Sequence, residues 1–190
     1  MKLHLDLLRH GETEQGGGMR GSIDDALTED GWAQMRSAVA EAGPWDRIVS
    51  SPLQRCARFA EELAERLALP LRLEAGLQEL HFGDWEGRTA AQLMDTDAEG
   101  LGLFWNDPYA FTPPNGEPVT RFSERVLAAA DNLYQAHAGE RVLLISHGGV
   151  MRLLLAKARG LPREQLLQVA VSHGALLAVT VAVGGVVAEA

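Results

Sequence analysis

The sequence predicts an α/β three-layer sandwich, with a mostly parallel sheet, helices on both faces and an antiparallel edge. Three observations carry that prediction. Short apolar runs of strand length alternate with segments of helical periodicity, the order that builds a parallel sheet. The run Arg141-Val142-Leu143-Leu144-Ile145 is apolar without alternation after its first residue, as a strand covered on both faces requires. Two further strands, around 175–182 and 185–189, flank Gly184-Gly185 and predict a hairpin, hence an antiparallel edge.

Taken in order, residues 2–8 alternate with period two and predict a strand ending at Arg9-His10-Gly11. Residues 14–26 hold Gly16, Gly17, Gly18 and Gly21 and predict a loop. Thr28 is a suitable cap for a helix to about Ala42, with Trp32, Met35 and Val39 at helical spacing, and Gly43-Pro44 stops it. Asp46–Val49 is a short strand. Ser51-Pro52 then predicts a helix start, with serine as N-cap and proline in the first turn. Cys56, Phe59, Leu63 and Leu67 supply its core stripe. Leu71–Leu73 is a brief strand. Residues 77–118 change texture, with scattered Trp, Pro and Gly, and are expected to form a cap-like excursion over the active site. Phe122, Val126, Ala129 and Leu133 mark a helix over 119–138, and Ser146-His147-Gly148-Gly149 turns the buried strand into a last helix.

Composition narrows the function classes. A chain of 190 residues, 46% hydrophobic and 23% charged, suits one domain spanning 1–190. No apolar run approaches the roughly 20 residues that cross a bilayer. Residues 1–10 alternate and do not form a signal-peptide core, so a cytoplasmic location is expected. The formal charge of -9 argues against nucleic-acid binding. The lone Cys56 excludes an internal disulfide framework or a cysteine-rich metal site.

In open α/β sheets, ligands bind beyond the carboxyl ends of the strands. Here that rule selects Arg9-His10-Gly11-Glu12-Thr13, Ser50 to Arg55, and Ser146 to Gly149. Each offers cations or a helix N-terminus, which together suit a phosphate. Arg9 presents a planar fork of donors. Arg55 lies one turn inside its helix, where its side chain leans back toward the N-terminus and the pocket. His147 ends the strongest strand. A neutral His10 can attack phosphorus while adjacent cations stabilise the transferring oxygens. Glu79 is the candidate proton donor for the leaving oxygen, with Glu12 a competitor.

With these motifs in view the chain resembles the histidine phosphatase superfamily, in its phosphoglycerate-mutase-like branch. The matching residues are Leu8 to Thr13, Leu27-Thr28 with Gly31, Ser51-Pro52-Leu53 with Arg55, Glu79 with Phe82-Gly83, Trp85-Glu86-Gly87, and Ser146 to Gly149. The resemblance implies that His10 is the phosphorylated nucleophile, that Arg9, Arg55 and His147 bind the phosphoryl group, and that Glu79 donates the proton. It assigns Thr13, Ser22 and Glu12 to substrate binding and implies no metal and no cofactor. Gly16 departs from the pattern, since many relatives carry asparagine there, and Arg20 is a possible substitute donor.

The middle region, with Phe104-Trp105-Asn106-Asp107-Pro108, Pro113 to Glu117 and Phe122 to Val126, resembles the α-ribazole phosphatase branch of that family. It implies a small phosphorylated metabolite as substrate, α-ribazole 5′-phosphate or the corresponding cobalamin phosphate, and a monomer or homodimer. Trp85, Phe104, Trp105 and Tyr109 are candidates for stacking on an aromatic base. His4, His81, His137 and His173 read as strand-face, loop or surface residues. A broad sugar-phosphate or nucleotide phosphatase, a mutase-like isomerase and a binding module are the rivals.

Overall fold

The computed structural model describes residues 1–189. Its sheet has six strands, β1 (Leu3–Arg9), β2 (Arg47–Ser50), β3 (Leu71–Leu73), β4 (Arg141–Ser146), β5 (Leu176–Ala182) and β6 (Gly185–Glu189), in the order β3-β2-β4-β1-β5-β6. β1, β2, β3 and β4 pair in parallel, while β5 runs antiparallel to β1 and forms the expected hairpin with β6. The three strands that carry the candidate motifs at their ends, β2, β4 and β1, are neighbours at the centre.

Period-two side-chain alternation splits the core into two layers. Leu5, Leu7, Val142 and Leu144 face one way, under α5 (Val119–His137), α6 (Gly148–Ala158) and the 77–118 excursion. Leu8, Ile48, Leu143 and Ile145 face the other way, under α1 (Glu29–Val39) and α2 (Gln54–Leu67). Asp6 is a charge in this interior, and its Oδ2 accepts from Trp45 Nε1 at 2.6 Å and Arg141 Nε at 2.9 Å. The excursion holds α3 (Ala90–Thr96) and α4 (Ala98–Asn106), joined at Asp97. One Asp97 oxygen accepts from Gly100 N at 3.1 Å and the other from Trp85 Nε1 at 3.0 Å.

Three local expectations are corrected. α1 ends at Val39, and Ala40 and Ala42 continue it only as three-residue turns onto Ser37 and Val39. α2 starts at Gln54, its N-cap is Leu53, and Ser51 is not the cap. The free N–H at its start goes to another part of the chain, since Asp24 Oδ1 accepts from Gln54 N at 2.7 Å. Leu67 leaves the core stripe at the last turn and is 42% exposed.

Candidate active site

Parallel pairing of β1 with β4 places Arg9 opposite Ser146, so the residues after each strand end side by side. His10 N donates to Ser146 O at 3.0 Å, and Ser51 N donates to Ile145 O at 3.0 Å. The His10 and His147 rings meet edge-on with centroids 5.3 Å apart. His10 Nδ1 lies 2.8 Å from Gly11 O. A carbonyl only accepts, so Nδ1 carries the hydrogen and Nε2 keeps its lone pair. Burial, and then the charge of Arg55, hold the His10 ring well below the usual histidine range. A neutral imidazole with a fixed tautomer is the state a nitrogen nucleophile needs.

His147 is fully buried, and burial followed by Arg55 and His10 keeps it neutral too. Its Nε2 lies 2.7 Å from Ser51 Oγ, which explains why Ser51 does not cap α2. Cys56 packs behind His147 with Sγ 3.8 Å from Nε2, and burial pushes its thiol up to about 12. That thiol stays protonated and is no nucleophile.

Two guanidinium groups converge on the first turn of α6. A Cβ at Gly148 would stand 3.2 Å from Arg9 Nε and 3.2 Å from Arg152 Nη1. Arg9 Nη1 donates to Val171 O at 2.6 Å, Arg152 Nε donates to Val169 O at 2.9 Å, and Arg9 Nε is buried without a hydrogen-bond partner. Helix dipole and cations thus point at one spot. Arg55 is fully buried, but its Nη atoms are spent on Ile23 O at 2.5 Å and Gly21 O at 2.9 Å, with Asp25 3.9 Å away. Its Nε alone lacks a partner. Arg55 therefore acts on the two histidines mainly through its charge and by holding the 21–23 segment.

Arg9, His10 and Arg152 face a cavity of about 280 Å³ lined also by Thr13, Gly16 to Arg20, Glu79, Phe82 and His173. Arg55 and His147, expected as phosphoryl ligands, are fully buried and do not line it. Glu79 bridges two elements, accepting from Leu80 N through Oε1 and from Gly149 N through Oε2, both at 2.9 Å. A side chain on Gly149 would collide with the Glu79 carboxylate, which accounts for the second glycine of the motif. Arg125 fixes the backbone beneath, donating to Gln78 O at 2.7 Å and Glu79 O at 2.9 Å while paired with Glu117 at 2.7 Å. Arg20 donates to Gly16 O at 2.7 Å and pairs with Asp25 at 3.3 Å, tying the glycine-rich loop to the cavity wall.

Other expected site residues are placed differently. Glu12 is exposed, with Oε1 accepting from Gln34 Nε2 at 2.9 Å, and does not line the cavity. Ser22 lies across Glu79, on a second polar cavity shared with His81, Glu117 and Arg125. Arg152 and His173 belong to the site and carry no motif that marks them in the sequence. Arg152 was legible in principle as the residue one turn inside α6, where side chains lean toward the N-terminus. Glu86, part of the matched stretch Trp85-Glu86-Gly87, takes its role from the structure, its carboxylate accepting from Gly21 N at 3.0 Å, Ser22 N at 2.9 Å and Phe82 N at 3.0 Å. Glu86→Ala leaves these donors without partners and frees the segment that holds Arg55. A loss on the order of 3 kcal/mol is expected by urea denaturation.

A larger cavity of about 420 Å³ opens beside the first, walled by Leu80, Phe104, Trp105, Pro108, Val119, Phe122, Leu166 and Leu167. Met19, Glu79, Phe82 and Arg152 line both cavities. Of the aromatic candidates, Phe104 and Trp105 line this space. Trp85 is buried, stacked on Phe111 at 5.5 Å, and Tyr109 sits under Arg163, so neither reaches it. Among the described residues, no three His, Cys, Asp or Glu side chains form a cluster able to hold a metal ion, and no helix is long and apolar enough to cross a membrane.

Comparison with known proteins adds the relatives. Residues 5–190 match the histidine phosphatase superfamily (branch 1). The adenosylcobalamin/α-ribazole phosphatase of Escherichia coli K12 is 32% identical over 183 residues, covering 94% of this chain and 90% of the relative. A glucosyl-3-phosphoglycerate phosphatase of Mycobacterium tuberculosis is 35% identical over 170 residues, 83% of this chain and 76% of the relative. The crystal structure of the α-ribazole phosphatase from Shigella flexneri superposes with a TM-score of 0.81 at 30% identity, covering 99% of this chain and 94% of that one.

Proposed function

The chain belongs to the histidine phosphatase superfamily (branch 1) and is a phosphatase, and from that premise we propose that it hydrolyses α-ribazole 5′-phosphate or the corresponding cobalamin phosphate through a phosphohistidine at His10. The carrying observation is the pair of cavities with a shared wall at Glu79 and Arg152. A phosphate held by Arg9, Arg152 and the α6 N-terminus directs its ester group into the apolar space, where Phe104 and Trp105 accept a flat base. Glu79, Arg152, Gln168 and the Trp105 indole N–H are the polar side-chain groups on that wall among the described residues, which suits a ribose carrying a flat base better than a hydroxyl-rich hexosyl group.

His10 Nε2 attacks phosphorus, the ester P–O bond breaks, and Glu79 gives its proton to the leaving alkoxide. Charge on the equatorial oxygens is met by Arg9, Arg152 and the field of Arg55. Water then attacks the phosphohistidine and passes a proton to Glu79. Phosphate leaves, and His10 is again neutral.

Phosphate release from α-ribazole 5′-phosphate in excess EDTA, beside a sugar phosphate and p-nitrophenyl phosphate, tests the substrate. A clear preference in kcat/KM for α-ribazole 5′-phosphate is expected. Preference for the sugar phosphate would move the assignment to the carbohydrate side of the family, and a rearranged phosphate product would move it to an isomerase.

The pH dependence has a defined sign. His10 must be neutral to attack, and its folded value is held well below 6.5. Acidification through 6.5 is therefore expected to cost no kcat/KM through His10, with the acid limb well below that pH. A fall centred at or above 6.5 contradicts a buried neutral nucleophile.

A further inference from the structure

We propose that His173 is a further ligand of the phosphoryl group, its ring donating to an equatorial oxygen on the side of the attacking His10. The inference rests on the phosphatase mechanism above and extends it to a residue outside the motifs.

The placement is built. The turn Val171 to Ala175 is bonded to the end of β1 on both sides, since Gly174 N donates to His10 O at 3.4 Å and Arg9 N donates to Ala175 O at 3.0 Å. Val171 O in the same turn holds the Arg9 guanidinium at 2.6 Å. Gly174 has φ +67°, a conformation an L side chain rarely adopts, and it packs on Gln34 of α1. The chain reverses there and delivers the His173 ring to 5.6 Å from the His10 ring, tilted by 47°, on the wall of the cavity that holds Arg9 and Arg152. The His173 ring is exposed on the cavity wall beside the nucleophile, a position that packing alone does not require.

The charged and titratable groups around it are Arg9 and His10 on β1 and its end, Glu12 beyond them, Arg152 on α6, Arg20 in the glycine-rich loop and Glu79 on the opposite wall. Cations outnumber acids, and burial followed by Arg9 lowers the affinity of the ring for a proton. An incoming phosphate dianion reverses that field. His173 then takes up a proton and donates to an oxygen, so anion binding and proton uptake are coupled. Glu79 serves the leaving oxygen, and His173 serves the side from which His10 attacks.

The test compares wild type, His173→Ala, His173→Gln and His10→Ala. It reads kcat/KM for p-nitrophenyl phosphate and inhibition by inorganic phosphate from about pH 5 to 8. His173→Ala is expected to lose roughly 10- to 100-fold in kcat/KM, with phosphate inhibition weakened about tenfold. Glutamine retains a donor and recovers much of the loss. In both variants, the pH dependence of phosphate inhibition becomes shallower by one proton, a change that a purely structural role does not produce. Wild-type inhibition and an unchanged pH slope in His173→Gln, with His10→Ala inactive, overturn the proposal while sparing the phosphatase mechanism. Full activity in His10→Ala overturns the mechanism itself. If His173→Ala does not fold, His173→Gln carries the same reading.

Discussion

His10→Ala is expected to lose at least about a thousandfold in kcat, a barrier increase of roughly 4 kcal/mol, while the protein stays folded. The loss is large because no neighbour can replace the ring. Cys56 is buried behind His147 with its thiol pushed up to about 12, so it offers no thiolate near neutral pH. Ser51 Oγ is engaged with His147 at 2.7 Å and supports the α2 entrance from there. The fold tolerates the change because, among the described residues, the His10 ring gives up one hydrogen bond, to Gly11 O, worth about 1 kcal/mol. The decisive measurement is single-turnover release of phosphate, together with trapping of an acid-labile phosphoenzyme in wild type and its absence in the variant. Turnover within about tenfold of wild type, roughly 1.4 kcal/mol, would remove His10 from the nucleophile's role.

Which parts of this site were legible follows from what local sequence encodes. β4 is readable because four successive apolar residues, Val142 to Ile145, form a run of strand length rich in branched side chains, and the adjacent His147 and Gly148-Gly149 follow from it. Arg9, His10 and Thr13 follow β1 in the same way. The Ser51-Pro52 start was misplaced because a serine before a proline fits a cap equally well, and only the fold reveals that His147, 96 positions away, takes its hydroxyl. Asp24 fills the vacated capping role from a loop 30 residues upstream, a pairing with no periodic trace. Glu12 illustrates the opposite error. It sits two residues from the nucleophile in sequence, yet the chain turns there and Gln34 of α1 claims its carboxylate. His173 reads in the sequence as a loop or surface histidine, and nothing short of the β1–β5 pairing brings it beside His10.

Acid is expected to destabilise this protein before its carboxylates titrate. His10 and His147 are both buried, and each folded value is depressed well below 6.5, in each case chiefly by desolvation. Above 6.5 both rings are neutral in the folded and unfolded chain, so stability is fully present. As the pH falls below 6.5, the unfolded chain takes up two protons that the folded chain refuses. Each such proton costs up to about 1.4 kcal/mol per pH unit, so the slope approaches roughly 2.7 kcal/mol per unit. His173, exposed but also depressed, acts in the same direction. The loss continues until the folded values are reached, and it precedes the carboxylate range near about 4. Urea denaturation at about half-unit steps from pH 7.5 to 5 measures the slope. Replacing His147 by glutamine, which cannot take up a proton, is expected to lower stability at pH 7.5 and to remove that ring's share of the slope, up to about 1.4 kcal/mol per pH unit. A stability that stays level from pH 7 to 5 in wild type would mean that these rings accept protons in place. A nucleophile that accepts protons in place is already disarmed at mildly acid pH, so the same result would remove the basis for an acid limb far below 6.5. The stability curve and the rate profile therefore test one property of the cavity, its refusal of a proton while no phosphate is bound.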